Sequence, residues 1–123
     1  MKLIVAGSRT WTDQERVYDE LDRLHKTLPI TEIVSGAAPR GADRMGETWA
    51  KSRKVKLKLF PANWHPYNNL VVDRSAGMKR NVEMAKYGDA LLAFMQGNTP
   101  GTRHMISEAA LRGLPTFVHA AGP

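Results

Sequence analysis

The stretch Leu3-Ile4-Val5-Ala6-Gly7-Ser8-Arg9-Thr10 decides how the chain is read. A short β-rich apolar run that ends abruptly in turn residues fits a strand buried on both faces, as in a central parallel sheet. The same kind of run recurs at Glu32–Ser35, Val55–Phe60, Ala90–Met95 and Thr116–His119. Between the runs the period changes to that of helices. Val17, Leu21, Leu24 and Leu28 fall at helical spacing, behind a capping box with Thr12 as N-cap and Glu15 three residues on. Further helices are expected from about Gly41 to Arg53, with Ala42, Met45 and Trp49 on one face, and from about Ser75 to Lys86, with Met78, Val82 and Ala85 inward. The last is expected from about Thr102 to Arg112.

This alternation predicts an α/β fold, a Rossmann-like three-layer sandwich with helices on both faces of a five-stranded parallel sheet. Right-handed crossovers and short connections favour the strand order 3-2-1-4-5. At 123 residues the chain is one domain's worth, read as a single domain over 1–123. One connection, Pro61 to Asp73, is long and carries Trp64, His65, Pro66, Tyr67, Asn68 and Asn69, as a lid or interface element would.

The absence of cysteine excludes a disulfide framework, a thiolate metal site and a cysteine nucleophile. The four histidines, at 25, 65, 104 and 119, are scattered, so no metal site is expected. No apolar run approaches the roughly 20 residues of a membrane helix, and the N-terminal run is too short for a signal peptide. The chain is read as cytoplasmic, without a membrane partner.

In such a sheet the loops beyond the carboxyl ends of the strands converge, and a ligand binds where the strand order reverses, here between strands one and four. The loops delivered there are Gly7-Ser8-Arg9-Thr10, Ser35-Gly36-Ala37-Ala38-Pro39-Arg40-Gly41, the long loop, and Gln96-Gly97-Asn98-Thr99-Pro100-Gly101-Thr102. Glycines let backbone amides approach an anion, hydroxyls add donors, and each following helix turns its positive end to the same place. Arg9, Arg40, Arg80 and Arg103 all fall at or just inside these loops and helix starts, which suggests a shared anion. Neither strict nucleotide fingerprint is present.

Four strings carry a resemblance: Ile4-Val5-Ala6-Gly7-Ser8-Arg9; Ser35-Gly36 with Arg40-Gly41-Ala42-Asp43-Arg44; Arg80-Asn81 with Met84; and Asp89 to Phe94 followed by Gly101-Thr102-Arg103-His104-Met105-Ile106. Together, and in this order, they resemble the YspA-type, cpYpsA-related branch of the SLOG superfamily, over nearly the whole chain. The resemblance implies a Rossmann-like fold and a pocket for a nucleotide or nucleotide-derived ligand, NAD-derived or signalling species included. By position, Gly7, Ser8, Arg9, Ser35, Gly36, Arg40, Gly41, Asp43, Arg80, Asn81, Gly101 and Thr102 would line it, and the loop reading adds Thr10, Gly97 and Arg103. The resemblance also implies a homo-oligomer. Related phosphoribohydrolases carry a glutamate directly after their Gly-Thr turn; here Arg103, His104 and Met105 follow, and the nearest acid on that helix is Glu108. Pro39 removes one backbone donor from the second loop.

Asp43 and Glu47, one helical turn apart, are the best carboxylate pair for acid–base work. Against that, Asp43 suits a helix start and Glu47 solvent. Trp64 and Tyr67 can stack on a base or pin the long loop. His104 lies in the ligand-facing turn but reads as a solvent-exposed residue. The expected function is binding of a phosphate-bearing nucleotide ligand, as sensor or sequestering protein, with no obligate cofactor. A hydrolase acting on an N-glycosidic or phosphoester bond is the first alternative. A single-stranded DNA binder like the DprA proteins is the second, suggested by the net charge of +6. Five of the positive residues fall between Lys51 and Lys58 with no acid among them, so the charge reads mainly as helix-end and sheet-edge chemistry.

Overall fold

Strand β1 (Lys2–Gly7) sends Leu3 and Val5 into one apolar layer and Ile4 and Ala6 into another, so a period of two buries both of its faces. The computed structural model describes residues 1–66 and 72–121; Tyr67, Asn68 and Asn69 of the long loop lie outside the described residues. After β1 come α1 (Gln14–Thr27), β2 (Glu32–Ser35), α2 (Ala42–Ser52), β3 (Lys56–Leu59), α3 (Ala76–Tyr87), β4 (Ala90–Met95), α4 (Pro100–Leu111) and β5 (Thr116–Ala120). Every strand pair is parallel, and the order is β3-β2-β1-β4-β5, as the alternation of strands and helices requires.

Val17, Leu21 and Trp49 of α1 and α2 close one face over Leu3, Val5, Leu92 and Phe94. Met84, Met105 and Ala109 of α3 and α4 close the other over Ile4, Leu91 and Ala93. None of the described helices is long and apolar enough to cross a membrane.

Four local expectations are corrected. The N-cap of α1 is Asp13, not Thr12: its carboxylate accepts from the Arg16 amide at 3.0 Å. A carboxylate serves this position better than a threonine hydroxyl because it also meets the positive helix end. Leu28 lies past the end of α1 in extended conformation and is exposed. Helix α3 buries Ala76, Asn81, Met84 and Ala85, whereas Met78 is 55% exposed and Val82 half-buried. Helix α4 begins at Pro100 rather than Thr102, with the proline in the first turn where no amide is needed.

Candidate functional site

Strand order reverses between β1 and β4, and a cleft of about 850 Å3 opens above their carboxyl ends. That volume is within the ~300–1,000 Å3 of small-molecule sites. Of the residues singled out from sequence, Gly7, Ser8, Arg9, Thr10, Asp43, Arg80, Asn81, Gly97, Gly101 and Thr102 line it. Ser35, Gly36, Gly41, Arg40, Arg103 and Glu47 are not among the lining residues.

The second group explains how the first is held. Ser35 is fully buried; its Oγ donates to Glu47 Oε2 at 2.8 Å and accepts from the Ala37 amide. Glu47 is therefore not solvated but fixed beneath the cleft, with Arg44 at 3.5 Å on its other oxygen. Gly36 lies under the Arg80 guanidinium, which donates to the Gly36 carbonyl. Gly41 takes φ of +81°, and a Cβ added there would collide with the Ser8 carbonyl and the Arg9 backbone. Arg40 and Arg103 are exposed. Of the four arginines expected around one anion, the structure brings Arg9 and Arg80 into the cleft and adds Arg74.

Asp43 sits in the first turn of α2, 7% exposed. Burial pushes its carboxyl up to about 6; Arg80 and the amides of Ala38 and Gly7 pull it down, and Glu47 pushes it up. Burial also lowers the Arg80 guanidinium from its usual range, with Asp43 opposing and Arg9 reinforcing the shift. Arg80 stays cationic because guanidinium begins so far above neutrality.

A hydrogen-bonded chain crosses the cleft floor. Arg80 Nε donates to Asn81 Oδ1 at 3.0 Å, and Asn81 Nδ2 donates to the Gly101 carbonyl and to His104 Nδ1, each at 3.1 Å. With Nδ1 accepting, the neutral His104 ring carries its proton on Nε2, which faces Glu108 Oε1 at 3.5 Å. His104 is thus half-buried and lines the cleft, contrary to the solvent-exposed expectation. The chain ties α3 to the start of α4 and fixes where the α4 amides point.

Thr99 is the residue sequence reading passed over. It is the N-cap of α4, yet its side chain makes no capping bond; its Oγ1 is buried and has no partner among the described residues. It lines the cleft beside Gly101 and Thr102, whose amides, in the first helical turn, have no intrahelical acceptor. The signal was legible as Thr99-Pro100-Gly101, a hydroxyl directly before a first-turn proline; placing the helix start at Thr102 hid it.

The rim is apolar. Trp64 is 40% exposed and Met78 faces it from the α3 side of the same cleft. Trp64 pins the loop to the body: its ring lies over Gly77 and its carbonyl accepts from the Asp73 amide at 2.7 Å, and the residue also lines the opening. Among the described residues no group of three or more metal-ligating side chains comes together.

Comparison with known proteins agrees with this architecture. The chain is similar, at 16% identity and a TM-score of 0.50 over 96% of its length and 90% of the other chain, to the crystal structure of the C-terminal domain of PF1911 hydrogenase from Pyrococcus furiosus, a likeness of fold alone. It is 36% identical to the Gene 61 protein of Mycobacterium phage D29 over 94% of both chains. The model of the YspA, cpYpsA-related SLOG family matches residues 1–67, which hold β1, the Ser8–Arg9 turn, the Gly36–Gly41 loop and Asp43. The chain belongs to the YspA, cpYpsA-related SLOG family.

Proposed function

We propose that the protein binds a nucleotide or nucleotide-derived ligand in this cleft, as a sensor or sequestering protein. Its phosphate sits at the start of α4, and its base lies toward Trp64 and Met78. The observation that carries the reading is Thr99: a buried hydroxyl without a partner among the described residues, at a helix start with no acidic residue in its first turn, opening into the cleft. A phosphate there would accept from Thr99 Oγ1 and the amides of Gly101 and Thr102, at the positive end of the helix. Arg80 and Arg9 supply compensating charge from the opposite wall. Family membership supports a nucleotide-related ligand, and NAD-derived or cyclic signalling nucleotides are within the same chemistry.

The test is thermal unfolding against mono-, di-, cyclic and NAD-derived nucleotides, with the matching nucleosides as controls. A ligand at 100 times its Kd adds about 2.7 kcal/mol to native stability. Stabilisation by at least one phosphorylated species and by none of the nucleosides is expected; no shift across the panel overturns the reading.

One observation favours hydrolysis as a second reading. Asp43, raised to about 6 and facing the cleft, retains a protonated fraction near neutrality and could protonate a departing base. Free base or ribose phosphate released by the wild type and not by Asp43→Ala would establish it, while intact ligand after long incubation excludes it. The nucleic-acid reading gains least. The basic residues from Lys51 to Lys58 lie at the carboxyl end of α2 and on β3, at the end of the sheet away from the cleft, and Arg53 is paired with Asp22 at 2.9 Å.

A further inference from the structure

We propose that ligand binding in the cleft is governed by the protonation state of His104, acting through Asn81 on both walls that meet the anion. The inference rests on the reading that a phosphate sits at the start of α4. Asn81 and His104 are positioning residues in it. Asn81 is 5% exposed, and its neighbours leave its amide group one orientation. Arg80 Nε can only donate and the Gly101 carbonyl can only accept, so Oδ1 faces the first at 3.0 Å and Nδ2 the second at 3.1 Å. The other Nδ2 hydrogen points to His104 Nδ1 at 3.1 Å, which must offer a lone pair. The ring proton is then on Nε2, toward Glu108 Oε1 at 3.5 Å. Every bond in the row runs one way, from guanidinium through amide and imidazole to carboxylate.

Asn81 holds a binding group on each side of the cleft. Arg80 is one. The other is the Thr102 amide: it shares a planar peptide unit with the Gly101 carbonyl, so the bond that Asn81 makes to the carbonyl aims the amide at the anion's place. A second proton on the ring can go only to Nδ1, where it meets the Asn81 amino group hydrogen to hydrogen. Either that bond is lost, or the amide turns over and sets Nδ2 against the Arg80 donor and Oδ1 against the Gly101 carbonyl. Both outcomes leave a buried donor unpaired and loosen the tie between α3 and α4.

The partners of the ring pull in opposite directions. Glu108, on its own helix, favours the imidazolium. Asn81 of α3 accommodates only the neutral ring. Arg80, next along the row, also opposes a second cation, and it in turn faces Asp43 of α2 and Arg9 of the β1–α1 turn. A ring held between two such partners is a proton-dependent switch on the geometry of the α4 start.

The test follows the His104 ring by nitrogen NMR of the full chain, with and without AMP, between about pH 5 and 8, where histidine ordinarily changes charge. In the free protein at the upper end of the range the single ring proton is expected on Nε2. Binding that needs the neutral ring must, by linkage, lower the midpoint of its titration, and a tenfold preference lowers it by about one pH unit. A phosphate that merely lay nearby would raise it instead. Calorimetry gives the reciprocal measurement. Between pH 8 and pH 5 the AMP affinity of the wild type should fall about tenfold more than that of His104→Asn, whose side-chain oxygen can take the Asn81 bond but cannot titrate. The phosphate and Asp43 are present in both proteins, so their own titrations cancel. A midpoint that rises or stays when AMP binds overturns the proposal and leaves the phosphate seat standing, and parallel pH profiles of the two proteins do the same. If His104→Asn does not fold, the wild-type midpoint decides. Failure of AMP to bind at either pH removes the seat and the proposal together.

Discussion

Three helix starts face the cleft, those of α2, α3 and α4, and those of α2 and α4 are built in opposite ways. At α2 the positive end is already answered from within the chain: Asp43 lies buried in the first turn, drawing on the amides of Ala38 and Gly7. The glycines there have no room to spare, for a Cβ on Gly7 would lie 2.4 Å from the Phe94 carbonyl oxygen and one on Gly41 2.3 Å from that of Ser8. At α4 no acid occupies the first turn, and among the described residues Thr99 Oγ1 lacks a partner and a Cβ on Gly97 or Gly101 would meet nothing within 4 Å. The other two helices follow α2, since Asp13 caps α1 and Asp73 accepts from Ser75 at the start of α3. The lesson is that glycine-rich loops of similar composition divide into one that holds the fold together and one that leaves room for an anion.

The glycines offer the sharpest way to break that contrast. Gly41→Ala should cost about 3 kcal/mol or more, from positive φ together with the collision with Ser8, and urea unfolding measures it. Gly101→Ala should leave stability equal or raise it by a few tenths of a kcal/mol, because alanine is the better helix residue. Its added methyl would nevertheless intrude where the phosphate is placed, so calorimetry with AMP as probe should show affinity about tenfold weaker.

Placing an acid at α4 should make the two starts alike. Thr99→Asp is expected to cap the helix and stabilise the free protein by about 0.5–1 kcal/mol. The same carboxylate would occupy the anion's place and lower affinity for AMP about 100-fold, or about 2.7 kcal/mol. Stability and binding moving in opposite directions is the signature of a ligand seat. Equal affinity in this variant would mean that the anion lies elsewhere.

Removing the acid from α2 has a predictable pH dependence. Asp43 titrates at about 6 in the folded protein against an ordinary value of 3.8. A carboxyl raised on folding contributes stability that is fully present below 3.8 and is lost as pH rises through 6. Asp43→Asn should therefore be more stable than wild type by about 2–3 kcal/mol at pH 8, with the advantage gone by pH 4. Denaturation at the two pH values checks it; a variant less stable at pH 8 would show that Asp43 is held by bonds stronger than the cost of its burial.

The smallest effect is expected at the rim. Trp11 and Trp49 are buried, so Trp64 is the exposed tryptophan at the cleft. Trp64→Ala should weaken AMP binding about three- to tenfold, consistent with the loss of one stacking platform worth about 1 kcal/mol, and lower thermal stability modestly through the lost packing over Gly77. Quenching of tryptophan fluorescence by AMP should disappear with it.

Architecture was legible because the central strands are buried on both faces, so Leu3–Ala6 and Ala90–Met95 declare themselves as apolar runs that no other element mimics at that length. The strand order followed from connectivity. Side-chain direction in the loops was not legible, because loops have no period: Arg40 and Arg103 point to solvent, and Arg74, not singled out, reaches the cleft. The helical spacing of Met78 from Val82 and Ala85 predicts a core residue, yet α3 overhangs the cleft at its start and Met78 lines the opening, 55% exposed. Thr12 lost the α1 cap to Asp13 by a single residue, a contest between two good capping side chains. The importance of Thr99 depends on what its hydroxyl fails to meet, and a missing partner leaves no mark in a sequence.

The central claim is that a ligand's phosphate sits at the start of α4 rather than at the β1–α1 turn or the Gly36–Gly41 loop. It is tested most directly by following backbone amide resonances while AMP, and separately adenosine, is added to the protein. The account predicts that AMP moves the amides of Gly101 and Thr102 most, and that adenosine leaves them in place. Largest shifts at Ser8, Arg9 and Ala38, with those of Gly101 and Thr102 unmoved, would contradict it.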